Sequence, residues 1–442
     1  MKEKKYVVTS AFIASLGGLL FGFDTAVISG AEKTIQQLFN LDGFWHGFTV
    51  AIALIGTLVG ALISGKPADI LGRKKSLLAI AVLYTVSALG SALTHSWTGF
   101  LIYRFIGGIG VGASSVIGPM YIAEIAPANL RGRLVTSFQL NIVAGILLSY
   151  FSNYWIAQLI THEAWRWMLG VISIPSVIFF VLIFFIPDSP RWLVLKNRLD
   201  EAKIVLRKIG SADPSNEIRE IEASTSKKDG VQREHLFTTM YRMPIILAVL
   251  LAIFNQLTGI NAIMYYAPRI FEMVGYAKNS ALLQSISVGI TLFIFTVLGM
   301  FLVDRVGRKR LLLVGSVGMI FFLGMVAKTI FSTTNGSIWM LIYLSGFIAF
   351  FSFSQGTVIW VFISEIFPNS VRAKGQTLGS FTHWTAAVII SWLFPAISEN
   401  NGGGWAFMFF SVAMAVQFFI VWKFFPETKG KTLEQIQKEM IL

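Results

Sequence analysis

Two charged residues and a few amides interrupt the long apolar stretches of this 442-residue chain. Asp24 sits in the middle of one apolar run and Arg104 in another. A lone charge at a bilayer centre costs roughly 2.5–3.5 kcal/mol on insertion scales, and an opposite charge on a neighbouring helix offsets part of that. A buried carboxyl that loses its cationic partner favours the neutral form, so a pair that opens and closes exchanges a proton. The same two residues also suit a permanent structural ion pair. Gln139, Asn255, Gln256 and Asn261 form a second set. Primary amides both donate and accept, as the hydroxyls of a neutral polar ligand do, and aromatic faces suit a ligand's C–H surface. Tyr265, Trp360, His383 and Trp384 supply such rings. Taken one at a time, an intramembrane Asn or Gln reads equally as glue between helices, worth ~0.6 kcal/mol on average.

The elements that must carry these groups follow from composition. The chain is 55% hydrophobic and 13% charged, with mean hydropathy +0.68. Soluble domains carry roughly 25% charged residues, so a string of them is excluded, as are a secreted scaffold and a disordered tail. A spanning helix needs about 20 apolar residues. Twelve such runs are readable, at 7–30, 44–65, 76–94, 98–122, 134–157, 165–186, 243–271, 281–303, 311–331, 337–363, 373–396 and 404–425. Gly259 and Pro268 predict a locally broken seventh span, the usual way such folds expose backbone to a ligand. Residues 187–242 are the one sizeable polar segment and predict short amphipathic helices on the membrane face. The expected organisation is therefore an N-terminal six-helix bundle at 1–186, a cytoplasmic helical linker at 187–242, a C-terminal bundle at 243–425 and a cytoplasmic tail at 426–442.

All but six of the 36 lysines and arginines fall on the side of the membrane that holds both termini. Lys33, Arg166, Arg269, Lys278 and Lys328 fall opposite, and Arg104 lies inside a span. The positive-inside rule puts both termini in the cytoplasm, and the net charge of +13 needs no nucleic acid to explain it. MKEKK is not read as a cleaved leader, because the run behind it contains Asp24 and spans the membrane. Cysteine is absent, which removes disulfides and thiolate chemistry. The histidines are too dispersed for a metal site, and no nucleophile–base arrangement or phosphate loop stands out, so neither an enzyme nor a cofactor is expected. GGIGVG (Gly107 to Gly112) lies inside an apolar run and is not a dinucleotide fingerprint. Gly108 and Gly112, like Gly56 and Gly60, read as close helix packing.

Three motifs recur. DILGRKK (Asp69 to Lys75) returns as DRVGRKR (Asp304 to Arg310), EIAPANLRGR (Glu124 to Arg133) as EIFPNSVRAK (Glu365 to Lys374), and PDSPR (Pro187 to Arg191) as PETKG (Pro426 to Gly430). Each copy follows the same-numbered span of its half. Six spans per repeat is even, so the repeats are parallel about an axis along the membrane normal, the plan of two-bundle transporters. Asp69, Arg73, Glu124, Arg131, Asp304, Arg308, Glu365 and Arg372 all fall at cytoplasmic span ends. They read as snorkelling anchors, or as a salt-bridge gate between bundles that holds an outward-facing state.

These motifs resemble the sugar porter family of the major facilitator superfamily. The match runs from FGFDTAVISG (Phe21 to Gly30) to PETKGKTLEQI (Pro426 to Ile436). It includes RFIGGIGVG (Arg104 to Gly112), NQLTGINAIMYYAP (Asn255 to Pro268) and WVFISEIFPNSVR (Trp360 to Arg372). The likeness is greatest to bacterial sugar–proton symporters, xylose-type ones especially. The resemblance implies an all-α fold of twelve transmembrane helices and import of a monosaccharide such as xylose or glucose with protons, by alternating access. It implies a monomer in the plasma membrane, with lipid, sugar and proton as partners. Gln139, Gln256, Asn261 and Trp360 match the family's sugar-binding residues, and Trp384 a second family tryptophan. Asp24 matches the Asp of proton-coupled members, where several facilitators have Asn. Asn255 stands where the family usually has Gln, His383 where Asn or Gln is usual, and Leu292 near an expected Asn. A facilitative uniporter of the same fold, a cyclitol transporter and a sugar sensor are the alternatives.

Overall fold

The computed structural model describes residues 2–127, 129–211, 213–226, 235–332, 338–368, 370–399, 402–431 and 435–436. Residues 227–234 of the expected linker and most of the tail beyond 431 lie outside these. All regular structure among the described residues is helical. In hydrocarbon every backbone polar group needs an internal partner, and a helix supplies one within its own segment.

Among the described residues, twelve helices are long and apolar enough to cross a membrane. They are Glu3–Leu38, Gly43–Ile63, Arg73–Leu93, Trp97–Ile125, Arg131–Leu159, Ala164–Ile183, Thr239–Glu272, Lys278–Val306, Arg308–Phe331, Ile338–Ile366, Arg372–Ser398 and Gly403–Phe424. Each coincides with an expected run. The first differs most: the helix continues past residue 30, carrying Glu32 and Lys33 within it. The linker forms the helices Pro190–Leu195, Leu199–Lys208 and Pro214–Ser226. Trp192, Leu193, Val194, Ala202, Val205, Leu206 and Ile218 pack as their shared core.

The repeated motifs have a structural counterpart. Gly72 and Gly307 occupy the same turn between spans, with φ of 91° and 106°, values that L side chains rarely adopt. In the first repeat the Trp192 ring covers Gly72, and its Nε1 donates to the Asp69 carbonyl oxygen at 3.1 Å. In the second the Glu427 carboxylate covers Gly307 and accepts from the Arg308 backbone N–H at 2.8 Å. A residue in the third motif of the second repeat, and one directly after it in the first, thus caps the first motif.

The chain divides into two compact units. One comprises Met1–Asp24, Ile55–Ile146 and Leu169–Gln232; the other comprises Thr25–Leu54, Leu147–Met168 and Arg233–Leu442. The division cuts through spans of the first repeat. Within the second unit, the far ends of those spans are tied to the C-terminal half by specific bonds: Tyr150 Oη donates to the Met264 carbonyl oxygen at 2.9 Å, and Trp392 Nε1 to that of Phe44 at 3.1 Å. Within the first unit, Gly56 and Gly60 meet the backbone at Gly108 and Ile109, and Gly112 meets that of Thr57. The small residues there do bring helices into close contact.

Candidate functional site

In the first unit Arg104 Nη1 lies 2.7 Å from Asp24 Oδ1. Asp24 is 4% and Arg104 2% exposed, so the pair is almost wholly removed from solvent. Arg104 Nε is buried with no hydrogen-bond partner among the described residues. Arg104 Nη2 donates to the Asp24 carbonyl oxygen at 3.5 Å, so the guanidinium meets a single carboxylate oxygen and one weak backbone acceptor and is not saturated, unlike a bidentate pair. Gln139, half-buried, is carried by the fifth span of the same unit.

The other amides gather in the second unit. The seventh span runs as Arg242–Leu257, breaks, and resumes as Ile260–Glu272. The break is at Gly259, φ 81°, where the Phe410 ring fills the space a Cβ would need. A further departure from helical geometry falls at Tyr266, two residues before Pro268. The predicted discontinuity sets Asn255 and Gln256 just before the break and Asn261 just after it. Asn261 Nδ2 donates to Gln256 Oε1 at 2.7 Å, and Gln256 Nε2 donates to Asn255 Oδ1 at 3.1 Å. Gln256 Nε2 also meets the His383 ring nitrogens, at 3.2 and 3.3 Å. The Trp360 ring lies 5.0 Å from His383, and the His383 and Trp384 rings meet edge-on at 5.1 Å. Trp360 is exposed, Asn261 and Trp384 are half-buried and Tyr265 is buried. A fixed run of amides is thus bordered by indole faces, chemistry suited to a ligand with many hydroxyls and a C–H face. Leu292 is buried in the eighth span and brings no polar group.

The span-end charges pair within each unit. Arg73 Nε lies 2.9 Å from Glu124 and Arg73 Nη1 3.1 Å from Asp69. Arg308 Nη2 lies 2.7 Å from Glu365 and 3.0 Å from Asp304. Glu365 also accepts from the Thr428 hydroxyl at 2.6 Å. Arg372 Nε donates to the Phe367 carbonyl oxygen at 3.3 Å, and Arg131 is exposed.

One buried cluster escaped sequence reasoning. In the second unit His46 Nε2 lies 2.6 Å from Glu32 Oε2, and Arg269 Nη1 lies 3.5 Å from the same oxygen. Arg269 also bonds Gln36, and Lys33 pairs with Glu272. Glu32 and His46 are wholly buried. The signal was a glutamate directly after an apolar run, which reads as the end of a span.

Fold, repeat and buried polar groups together define a membrane transporter of the major facilitator type. The family model for sugar (and other) transporters matches residues 10–440, and the chain belongs to that family. The arabinose–proton symporter of Bacillus subtilis (strain 168) is 38% identical over 439 residues, covering 98% of this chain and 95% of that protein. The D-xylose–proton symporter of Escherichia coli (strain K12) is 38% identical over 479 residues, 98% of this chain and 96% of its own. The structure of the xylose transporter XylE from E. coli in its inward-open conformation superposes with a TM-score of 0.88 at 36% identity, covering 98% of this chain and 100% of that one.

Proposed function

We propose that this protein imports a monosaccharide together with protons across the plasma membrane, by alternating access of its two six-span repeats. The observation that carries the reading is the Asp24 and Arg104 pair, 2.7 Å apart inside apolar spans. A carboxylate so placed is compensated by a single unsaturated guanidinium. Separating the two leaves a charge that a proton neutralises. Asp24 is the proton carrier in this reading and Arg104 its counter-ion. Gln139, Asn255, Gln256, Asn261 and His383 hold the sugar's hydroxyls, and Trp360, Trp384 and Tyr265 its apolar face. That relatives of nearly full length include arabinose– and xylose–proton symporters supports the assignment to small sugars.

The bundles at 1–186 and 243–425 are the moving bodies, and 187–242 connects them on the cytoplasmic side with both termini. Asp69, Arg73, Glu124 and Arg131, with Asp304, Arg308, Glu365 and Arg372, hold the cytoplasmic span ends and bias the outward-facing state. The protein works as a monomer in the bilayer. The test is proton movement in proteoliposomes. Sugar added outside should carry protons inward and acidify the lumen, as read by an internal dye. Sugar entry without any pH change would identify a uniporter in which the Asp24 pair is structural.

A further inference from the structure

Behind the candidate sugar site runs a chain of buried amides. Asn255 Nδ2 donates to Gln355 Oε1 and to the Gln355 carbonyl oxygen, both at 3.4 Å. Gln355 Nε2 donates to Gln417 Oε1 at 2.6 Å. Gln417 Nε2 donates to Ser316 Oγ at 3.1 Å, and the Ser316 hydroxyl donates to the Leu312 carbonyl oxygen at 2.8 Å. With the links from Asn261 to Gln256 and Gln256 to Asn255, the sequence is continuous over the seventh, tenth, twelfth and ninth spans. Gln355, Gln417 and Ser316 are all 0% exposed.

Every link runs in one sense, each nitrogen donating away from Asn261 and toward Leu312. The closed end dictates that sense. Ser316 commits its proton to a helix carbonyl, so its oxygen is left to accept. Gln417 must then present its nitrogen to Ser316 and its oxygen to Gln355, and the requirement passes outward to Asn255 and Gln256. Gln355 is the hinge of this arrangement. It is the first residue of the helix Gln355–Ile366, directly after the break in the tenth span at Ser354. Asn255 and Gln256 end the helix before the break in the seventh. The two discontinuities are joined side chain to side chain at Asn255 and Gln355.

We infer that Gln355, backed by Gln417 and Ser316, is a positioning residue for substrate recognition: it fixes which way the Asn255 and Gln256 amides face, and so sets affinity and selectivity without touching the sugar. The inference rests on the amide cluster being the sugar site. A buried unpaired amide is expensive, whereas removing both partners of a buried hydrogen bond with shape retained is nearly neutral for stability. Gln355 and Gln417 could therefore be replaced together by apolar residues at little cost to folding, and the presence of amides at these two positions is assigned to orientation.

The test uses the purified full chain and a panel of labelled and unlabelled monosaccharides and their deoxy analogues. Gln355→Met keeps the length of the side chain and removes the amide. It should weaken binding of the best sugar by roughly tenfold, the worth of one buried hydrogen bond. It should also narrow the difference between that sugar and its deoxy analogues. In an Asn255→Ala background the same change should have no further effect, because its influence passes through Asn255. The double variant Gln355→Met with Gln417→Leu leaves no unpaired amide between them. It should melt at the wild-type temperature yet show the same binding loss, which separates orientation from misfolding. Wild-type affinity and selectivity in folded Gln355→Met would overturn the inference, as would a loss that adds in full to that of Asn255→Ala. Binding of no monosaccharide by the wild type would instead overturn the sugar site itself and the inference with it.

Discussion

Asp24 and Arg104 bury a full charge pair in the first unit, whereas Asn261, Gln256, Asn255, Gln355 and Gln417 bury only neutral amides in the second. The two regions fail differently when disturbed. Opening the pair strands a charge in low dielectric, and a proton is the particle that removes it. Opening the amide chain strands dipoles, and a hydroxyl, which donates and accepts, replaces what is lost. In the proposed function the first region answers to protons and the second to polyols, the division of labour that coupled transport of a neutral solute needs.

The largest expected effect strikes the charge pair. Arg104→Leu leaves Asp24 uncompensated and should destabilise the purified protein by ~3–5 kcal/mol, read as a fall in melting temperature. Adding Asp24→Asn should restore most of it. An Arg104→Leu variant as stable as wild type would break the comparison, since the pair would then carry no buried charge of consequence. Next comes the amide region. Gln256→Ala should cost about 1–3 kcal/mol of sugar binding, roughly 5- to 150-fold in affinity, with folding intact. Unchanged affinity in the folded variant would remove Gln256 from the site. The smallest effect belongs to the span ends. Glu365 is partly exposed, so Glu365→Gln should shift the balance of conformations toward inward opening by about fivefold or less, slowing net transport while binding survives. Because the chain contains no cysteine, a single introduced thiol on the cytoplasmic side reports that opening directly. Lost binding with unaltered labelling would contradict the gate role.

How far each region could be read from sequence follows from its physics. Asp24 and Arg104 were legible because a charge within an apolar run has few explanations. The twelve spans were legible because hydrocarbon demands about 20 apolar residues each time. The break at Gly259 was legible as a glycine among amides. Gln355 and Gln417 were not singled out, although both lie inside expected spans. A single glutamine in a helix is ordinary, and only the meeting of four helices makes these two parts of one chain. Glu32 and His46 were missed for a related reason. Glu32 falls where the first apolar run ends, yet the helix goes on to Leu38. What makes its burial tolerable are His46 and Arg269, on the second and seventh spans. The second of these is 237 positions away, and no local pattern announces such partners.

The central claim, that Asp24 carries the coupled proton, is tested most directly by Asp24→Asn in proteoliposomes, with gradient-driven uptake and counterflow exchange measured side by side. The substitution mimics the permanently protonated carboxyl. Exchange needs no net proton movement, so it should persist along with sugar binding. Accumulation against a gradient requires the proton to bind and leave once per cycle, so it should vanish. Concentrative uptake that survives intact in Asp24→Asn would contradict the account.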